Sequence, residues 1–306
     1  MKSVQNIGTI TKAMELVAAT KMRRSQELAL NARPYAYTAL QLLGILSRLK
    51  DVPMPALLTP RPIAKTAFML VTSDKGLAGS FNGSVLRKFE QYARTQGIDA
   101  HDPKYAFIAV GQKAKSYLEH RGFRVSATFT RVGDFTRIRE VAPIAEFLVS
   151  GYLHRDFDEV TLFSTNFITA LHQEVLVRQI LPVSLDEIKE GVEFLSPELS
   201  EAGKRPYATD ALSFVAGQGQ AKGYVIEPTP EEVLEELAPE LLKIRLFSAI
   251  LEANASEHSA RRVAMKNASD NAQDLSEALT MVYNKSRQAA ITNQIIEVTA
   301  GAQALS

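Results

Sequence analysis

Cysteine is missing from all 306 residues, and this absence excludes disulfides, thiolate nucleophiles and cysteine-ligated metal sites. An excess of either charge is missing too. The 35 basic and 34 acidic residues leave a net charge of +1, which gives no overall electrostatic attraction to nucleic acid or to an anionic membrane. No apolar run approaches the ~18 residues of a membrane span, and the first residues lack the apolar core of a signal peptide. We therefore expect an intracellular protein that attaches to a membrane only through partners.

Catalytic motifs are scarce as well. The histidines form neither H-E-x-x-H nor another ligand spacing, and no G-x-S-x-G elbow is present, so we expect no metal site, no cofactor and no catalytic residue. The five histidines are His101, His120, His154, His172 and His258. The cluster TKMRRS, at residues 20–25, has three charges and no interleaved aromatic residue. Such a cluster is typical of a solvated helix face or a dock for an acidic partner rather than a nucleic-acid site.

One glycine-rich stretch, VTSDKGLAGSFNGS at residues 71–84, lies where phosphates often bind, between a predicted strand and a predicted helix. It lacks the Lys-Ser or Lys-Thr pair of a Walker A loop and does not match G-x-G-x-x-G. The interpretation we favour is a tight strand-to-helix turn or a protein contact. A nucleotide site is the alternative, and it would make the chain a nucleotide-dependent α/β enzyme with helical arms.

The first segment, residues 1–55, is predicted to be helical. Its apolar residues recur in steps of three and four, which is typical of one face of a helix: Val4, Ile7, Ile10, Met14 and Val17. Pro34 should kink or interrupt this helix. The stretch KDVPMPALLTPRP should end it, because four prolines in thirteen residues cannot continue a helix.

The last segment, residues 231–306, is predicted to form a very long helix. Acidic residues in its first turns suit the positive end of a helix dipole. No proline follows Pro239, which allows one helix of about 65 residues and roughly 100 Å. A small-residue seam with coiled-coil spacing runs along it: Phe247, Leu251, Met265, Ala268, Ala272, Leu275, Leu279, Val282, Ser286, Ala289, Asn293 and Ile296. Three polar residues interrupt this seam: Asn254, His258 and Arg261.

The middle of the chain changes character. Residues 63–182 contain five short runs rich in β-branched and aromatic residues, with helical stretches between several of them at about 82–96, 111–121 and 136–150. This alternation predicts an α/β layer domain with a largely parallel sheet of undetermined strand order. Residues 183–230, rich in glycine and proline, are predicted to form a loop-rich insertion and linker.

Two terminal helices on either side of one inserted domain should pair with each other. We therefore predict an α/β fold in which a long antiparallel coiled coil of the N- and C-terminal helices carries an inserted α/β domain. The longer C-terminal helix should then protrude as a weakly charged tip, RQAAITNQIIEVTAGAQALS, made to sit inside a partner. Arg287, Gln288 and Thr292 form a polar patch near this tip, read either as a partner contact or as ordinary exposed surface.

Four stretches resemble the gamma subunit of F-type ATP synthase. They are SVQNIGTITKAMELVAATKMRRSQ, TSDKGLAGSFN, STNFITALHQEVLVRQILPV and the C-terminal pair SEHSARRVAMKNASDNA and VYNKSRQAAITNQIIEVTAGAQAL. The resemblance covers almost the whole chain except about 183–226. It departs from the family in three places. The chain starts about ten residues inside the usual start, Gly8 should locally weaken the first helix, and the 183–226 segment is longer than in many bacterial members.

The resemblance implies a rotor whose inserted domain is Rossmann-like. It implies a coiled coil inside a ring of three alpha and three beta subunits, with the inserted domain beside the epsilon subunit and a membrane ring of c subunits. It places Arg287, Gln288, Thr292, Lys75 and Met14 at contacts with beta, and the catalytic residues on beta. The implied location is the cytoplasmic side of a bacterial inner membrane, peripherally bound. A coiled-coil scaffold or nucleic-acid-binding protein is the other rival hypothesis.

Overall fold

The computed structural model describes residues 2–46, 52–132, 136–183 and 226–305. Within these ranges, five helices and five strands follow one another, with one 3₁₀ turn after the first helix. In chain order they are α1 (Lys2–Leu46), the 3₁₀ turn Ala56–Leu58, β1 (Thr66–Val71), α2 (Phe81–Gln96), β2 (Tyr105–Val110), α3 (Gln112–His120), β3 (Val125–Phe129), α4 (Ile138–Leu153), β4 (Glu159–Phe167), β5 (Gln173–Leu181) and α5 (Pro230–Leu305).

The strands form one sheet in the order β3-β2-β1-β4-β5. Strands β1 to β4 are mutually parallel, and Met69 of β1 pairs with Ile108 of β2 on one side and with Leu162 of β4 on the other. Strand β5 returns antiparallel to β4 at one edge. The predicted largely parallel sheet is therefore confirmed. The strand order, which the sequence left open, is that of a Rossmann-like sheet with an antiparallel edge strand.

Both faces of the sheet are covered, which explains why the strands are apolar almost throughout. On one face, α2 and α3 bury an aromatic cluster in which Phe89 meets Phe163 edge to face at 5.3 Å between ring centroids. On the other face, Met69, Ile108 and Leu162 pack in one cluster with α4 and with the first third of α5. The long C-terminal helix thus serves as a covering helix of the α/β domain as well as part of the coiled coil.

Helices α1 and α5 run antiparallel, as predicted. Near the start of α1, the Ser269 hydroxyl donates a hydrogen bond to the Gly8 carbonyl at 3.4 Å, and a Cβ on Gly8 would lie 3.5 Å from that of Ala272. Toward the end of α1, Ala39 and Leu46 share an apolar cluster with residues from the first turns of α5, namely Leu234, Leu241 and Ile244. The start of each helix therefore lies beside a later part of the other.

Helix α1 is not interrupted at Pro34, and the C-terminal helix is longer than predicted. Helix α1 continues through Pro34, and α5 begins at Pro230 and contains Pro239, so it has 76 residues rather than about 65. A proline inside a helix removes one backbone hydrogen bond and costs about 3 kcal/mol. Side-chain burial on both sides of Pro239 offsets that cost, because Leu234, Ala238 and Leu242 are completely buried.

The face of α1 that packs on α5 is not the apolar face that the sequence pattern indicates. The side chains that turn toward α5 are mostly small or polar and alternate in steps of four and three: Val4, Gly8, Thr11, Glu15, Ala18, Met22, Ser25, Ala29 and Ala32. This is a regular 3.5-residue repeat. Of the five apolar residues in that sequence pattern, Val4 and Met14 are half-buried, whereas Ile7, Ile10 and Val17 are exposed. The aliphatic stripe of α1 therefore points away from its partner helix.

The seam predicted on α5 holds over part of its length. Phe247, Leu251, Met265 and Ala272 are buried and Ala268 is half-buried. From residue 281 to residue 297 every side chain is exposed, so the seam residues in that stretch have no cover from α1. Residues 281–305, which include the predicted tip from Arg287 onward, extend past α1 over about 37 Å at 1.5 Å per residue. We call the whole of residues 281–305 the tip. Nearly all of the predicted insertion, residues 184–225, lies outside the described residues.

Candidate functional site: the shaft surface and its junction with the α/β domain

The glycine-rich loop after β1 is closed by its own side chains. The Ser73 amide donates to Asn82 Oδ1 at 2.9 Å, and the Ser73 hydroxyl donates to the Lys75 carbonyl at 2.6 Å. Asn82, on the first turn of α2, donates from Nδ2 to the Ser73 hydroxyl at 2.8 Å. Leu77 and Gly79 both adopt positive φ. These contacts fit the interpretation of a tight strand-to-helix turn.

A carboxylate already occupies the position where this edge of the sheet could bind an anion. Asp74 accepts hydrogen bonds from the amide of Gln112, the first residue of α3, at 2.9 Å and from the amide of Arg131, just after β3, at 2.8 Å. Amides at a helix N-terminus are the usual phosphate donors. A phosphate placed here would meet the negative charge of Asp74, so the loop is poorly suited to a nucleotide.

The usual ligand crevice of the sheet is crossed by α5. In open α/β sheets ligands bind outside the carboxyl ends of the strands where the strand order reverses, which in this sheet is between β1 and β4. Here Arg261 Nη2 of α5 donates to the Gly76 carbonyl after β1 at 3.2 Å. Ser259 Oγ donates to the Ala170 carbonyl after β4 at 2.6 Å. Together with Asp74, this crossing argues against the nucleotide-enzyme alternative. Among the described residues, no group of His, Asp or Glu side chains is placed to hold a metal ion.

The polar residues that interrupt the α5 seam face the α/β domain. Asn254 Nδ2 donates to the Thr136 hydroxyl, just before α4, at 2.8 Å, and both side chains are buried. Arg261 Nη1 lies 2.7 Å from the Glu257 carboxylate and 3.3 Å from His258 Nδ1. We call Asn254, Ser259 and Arg261, with the three groups that accept their hydrogen bonds, the junction. The interruption in the coiled-coil pattern marks the level at which the domain is attached.

The predicted partner-contact residues fall into two groups. Arg287, Gln288 and Thr292 are exposed on the tip, where the Thr292 hydroxyl donates to the Gln288 carbonyl at 2.9 Å. Lys75 is exposed in the loop after β1, close to the level of Arg261, and Met14 is half-buried on α1. Arg287 is 26 residues beyond Arg261, about 39 Å along α5. The structure therefore does not bring the five residues together, and it places them at an upper and a lower level of one shaft.

On the described part of α1, a stripe of apolar side chains is exposed, although the sequence pattern alone did not predict its exposure. Ile7, Ile10 and Val17 are each between 53% and 59% exposed, and we call these three residues the shaft stripe. Exposed apolar side chains in such a row mark an interaction site. A signal for it was present in the sequence, because Gly8, Thr11, Glu15 and Ala18 supply a second heptad face of small and polar residues.

The tip also exposes apolar side chains. Met281 and Val282 are 68% and 65% exposed, and Ile291 is about half exposed. Charged side chains are sparse here, since Lys285, Arg287 and Glu297 are the only ones between residues 281 and 305. No helix within the described ranges combines the length and the hydropathy needed to cross a membrane.

Known proteins of this architecture are found by comparison. A family model described as ATP synthase matches residues 1–305. The ATP synthase gamma chain of Moorella thermoacetica is 35% identical over 305 residues, which span all of this chain and 96% of that protein. The chain belongs to the ATP synthase gamma-chain family. The gamma chain of Thermosynechococcus vestitus is 37% identical over 316 residues, with the same coverage of the two chains.

Solved structures show the same fold. A chain of the Tetrahymena thermophila mitochondrial ATP synthase central stalk and c-ring is 24% identical, with a TM-score of 0.59, over 85% of this chain and 99% of that one. A chain of the Euglena gracilis mitochondrial ATP synthase is 16% identical, with a TM-score of 0.59, over 99% of this chain and 91% of that one. As a gamma subunit, the chain is a rotor component of F-type ATP synthase, and the catalytic sites of the complex lie on other subunits.

Proposed function

We propose that this gamma subunit is the central shaft inside a ring of three alpha and three beta subunits, with its α/β domain beside the epsilon subunit and the c-subunit ring. Proton flow turns the c-ring and the shaft together, and the shaft drives ATP synthesis, or hydrolysis in reverse, at the beta sites. The complex is bound at the cytoplasmic side of a bacterial inner membrane, and this chain attaches peripherally through it. The family relationship supports this assignment.

The observation that carries the proposal is the reversed pattern of α1. Small and polar side chains face the partner helix, and the shaft stripe faces outward. Fully burying an aliphatic side chain of this size is worth about 1.5–3 kcal/mol. A chain that acted alone would place such side chains in its own seam. Their outward position is therefore explained by a surrounding partner that covers them.

The sparse charge of the tip suits rotation. Strong directional contacts between a shaft and its sleeve would create deep angular minima, whereas apolar contacts are non-directional. The asymmetric shaft presents a different face to each beta subunit as it turns. It can bias each site among its conformations only by the difference in interaction free energy between those conformations.

The predicted contact residues are assigned to two levels of beta. At the upper level, the Arg287 guanidinium would donate charge-assisted hydrogen bonds to an acidic beta loop, with Gln288 and Thr292 beside it. At the lower level, Lys75 and Met14 would meet beta near the foot of the ring. The separation of about 39 Å along α5 supports two distinct contacts rather than one.

The test of the proposal is reconstitution with the alpha and beta subunits from the same genome. A purified complex with one copy of this chain for three alpha and three beta subunits, active in ATP hydrolysis, is the expected result. Ile10→Asn should weaken assembly, because it places an amide in the covered stripe. Thr9→Asn, at the adjacent exposed position, is the matched control and should assemble normally. A folded chain that joins no such complex would refute the shaft assignment.

A further inference from the structure

The junction joins α5 to three separate loops at one edge of the sheet. Asn254 bonds the segment after β3, Ser259 the loop after β4 and Arg261 the loop after β1. Since β1, β3 and β4 belong to the parallel part of the sheet, these loops all follow carboxyl ends. The loop after β2 is tied into the same edge, because Gln112 donates to Asp74. One stretch of helix, residues 254–261, therefore reaches, directly or through Asp74, the carboxyl ends of all four parallel strands.

Outside the junction, the described contact between α5 and the domain is mainly apolar, with an ion pair of 3.6 Å between Glu252 of α5 and Arg178 of β5. Leu246, Ile250 and Ala253 pack with the face of the sheet that α4 also covers. Apolar packing stabilises the attachment but is non-directional and changes little when a helix turns by a small angle. Hydrogen bonds lose strength steeply with distance and angle. The hydrogen bonds therefore resist a small rotation of α5, whereas the apolar packing resists separation of α5 from the domain.

A small rotation of α5 within the domain would break the polar part. A side-chain atom about 5 Å from the helix axis moves roughly 0.9 Å when the helix turns by about 10°. A shift of that size takes a bond of 2.6 Å, as at Ser259, or 2.8 Å, as at Asn254, beyond the usual limit. Because the three bonds point to different loops, they limit rotation in both senses.

We propose that the junction is a torsional lock in which Asn254, Ser259 and Arg261 fix the angle between the shaft and the α/β domain. The shaft delivers torque at its upper end and receives it at the domain, so the angle between them must be preserved under load. The lock sets the torsional stiffness at this level. The packed apolar residues supply affinity without setting the angle. This role rests on the rotor function proposed above.

The chain offers a matched pair of serines for the test. Ser259 and Ser256 lie three residues apart on α5 and are both fully buried. The Ser259 hydroxyl bonds the Ala170 carbonyl, whereas the Ser256 hydroxyl has no hydrogen-bond partner. Ser259→Ala and Ser256→Ala are therefore the same chemical change, and only the first removes a junction bond. Thr136→Val keeps the shape of the side chain but removes the hydroxyl that accepts from Asn254.

The measurement uses the assembled complex with its alpha–beta ring fixed to a surface. Because the chain has no cysteine, Gln96→Cys, at an exposed position at the end of α2, provides a single site for a rotation probe on the α/β domain. In the stalled complex, the width of the probe's angular fluctuations reports the torsional stiffness between the domain and the ring. ATP hydrolysis by the same complex is recorded as the second readout.

Ser259→Ala and Thr136→Val should both widen the angular distribution and keep the wild-type hydrolysis rate at zero load, while Ser256→Ala leaves the width unchanged. Wild-type width in both junction variants would overturn the proposal. The same widening in Ser256→Ala would also overturn it, since removal of any buried hydroxyl would then suffice. Should Ser259→Ala fail to assemble, Thr136→Val decides alone. A wild-type chain that never joins the ring would count against the shaft function, not against the lock.

Discussion

Arg61 Nε lies 2.7 Å from Asp158 Oδ1, and this ion pair joins the segment before β1 to the segment before β4 at the amino edge of the sheet. The other carboxylate oxygen accepts hydrogen bonds from the Ala64 and Lys65 amides at 3.0 and 3.1 Å. Arg61 also donates to the carbonyls of Tyr152 and Phe157 and stacks on the Tyr152 ring at 4.0 Å. A single carboxylate thus fixes both segments where they enter the sheet.

This arrangement makes stability depend on pH. Burial alone would raise the pKa of the Asp158 carboxyl, but the two amide hydrogen bonds and the Arg61 charge outweigh burial and hold that pKa below its usual value. The lowered pKa contributes stability that is full above the unfolded value of about 3.9 and is lost as pH falls through the folded pKa. Chemical unfolding measured between pH 7 and pH 3 should show this loss of unfolding free energy. Asp158→Asn should remove the part of the pH dependence that comes from Asp158.

Asp158→Asn should also lower the free energy of unfolding at pH 7 by about 2–4 kcal/mol, because it leaves Arg61 without its charge partner. Asp156→Asn is the control, since Asp156 is exposed two residues earlier. Equal losses of unfolding free energy in the two variants would show that the Asp158–Arg61 ion pair stabilises the fold no more than an exposed carboxylate does.

Gly111 is predicted to be irreplaceable, and Gly76 to be replaceable. Gly111 has φ +93°, and a Cβ there would lie 2.2 Å from the Thr72 carbonyl oxygen. Gly111→Ala should therefore lower the free energy of unfolding by at least roughly 2 kcal/mol. A Cβ on Gly76 meets nothing within 4 Å, so Gly76→Ala should change stability little. Thermal unfolding of both variants checks the contrast, and a mild effect at Gly111 would mean that the Thr72 strand end can move.

Enlarging the coiled-coil seam should force the helices apart. Ala18 is 1% exposed between α1 and α5, so Ala18→Leu should overpack the seam and lower the free energy of unfolding by about 1–3 kcal/mol. Ala13→Leu adds the same atoms at an exposed position of α1 and serves as the control. Denaturant unfolding of the two variants gives the comparison. A stable Ala18→Leu chain would indicate a seam with unfilled space.

Removal of the tip charge should affect turnover rather than folding. Arg287 is exposed, so Arg287→Ala should leave stability unchanged but slow or uncouple ATP synthesis in the assembled complex. Lys285→Ala removes an exposed charge of the same sign two residues earlier, on a different side of the helix, and should have a smaller effect. Coupled synthesis at the wild-type rate in Arg287→Ala would contradict the assigned contact with beta.

The sequence predicted the elements well where local pattern and tertiary packing agree. Strands such as β1 and β2 carry β-branched and aromatic runs that the buried sheet requires, and helix α2 is bounded within one residue of its prediction. The family resemblance was confirmed along the full chain. Strand order was not predicted, because the pattern of a parallel strand is the same at any central position in a sheet.

Other features depend on partners or on long-range packing. A rule that assumes a protein acting alone would place the exposed stripe of α1 in the chain's own core. One sequence does not show which apolar residues a partner protein covers. Pro34 was read as a kink or an interruption, and the length of α5 was counted only from Pro239, since the packing that offsets the cost of a proline comes from distant residues. The contacts of Asn254 and Arg261 with the α/β domain could not be predicted, because their partners lie far away along the chain. The five proposed contact residues remain predictions.

The steps of four and three along the buried face of α1 have a mechanical consequence. A strict 3.5-residue repeat makes a helix pair wind as a left-handed supercoil. Torque of one sense winds such a supercoil tighter, and torque of the other sense opens it. The torsional stiffness of the shaft therefore depends on direction. The same torque twists it through different angles in clockwise and anticlockwise turning.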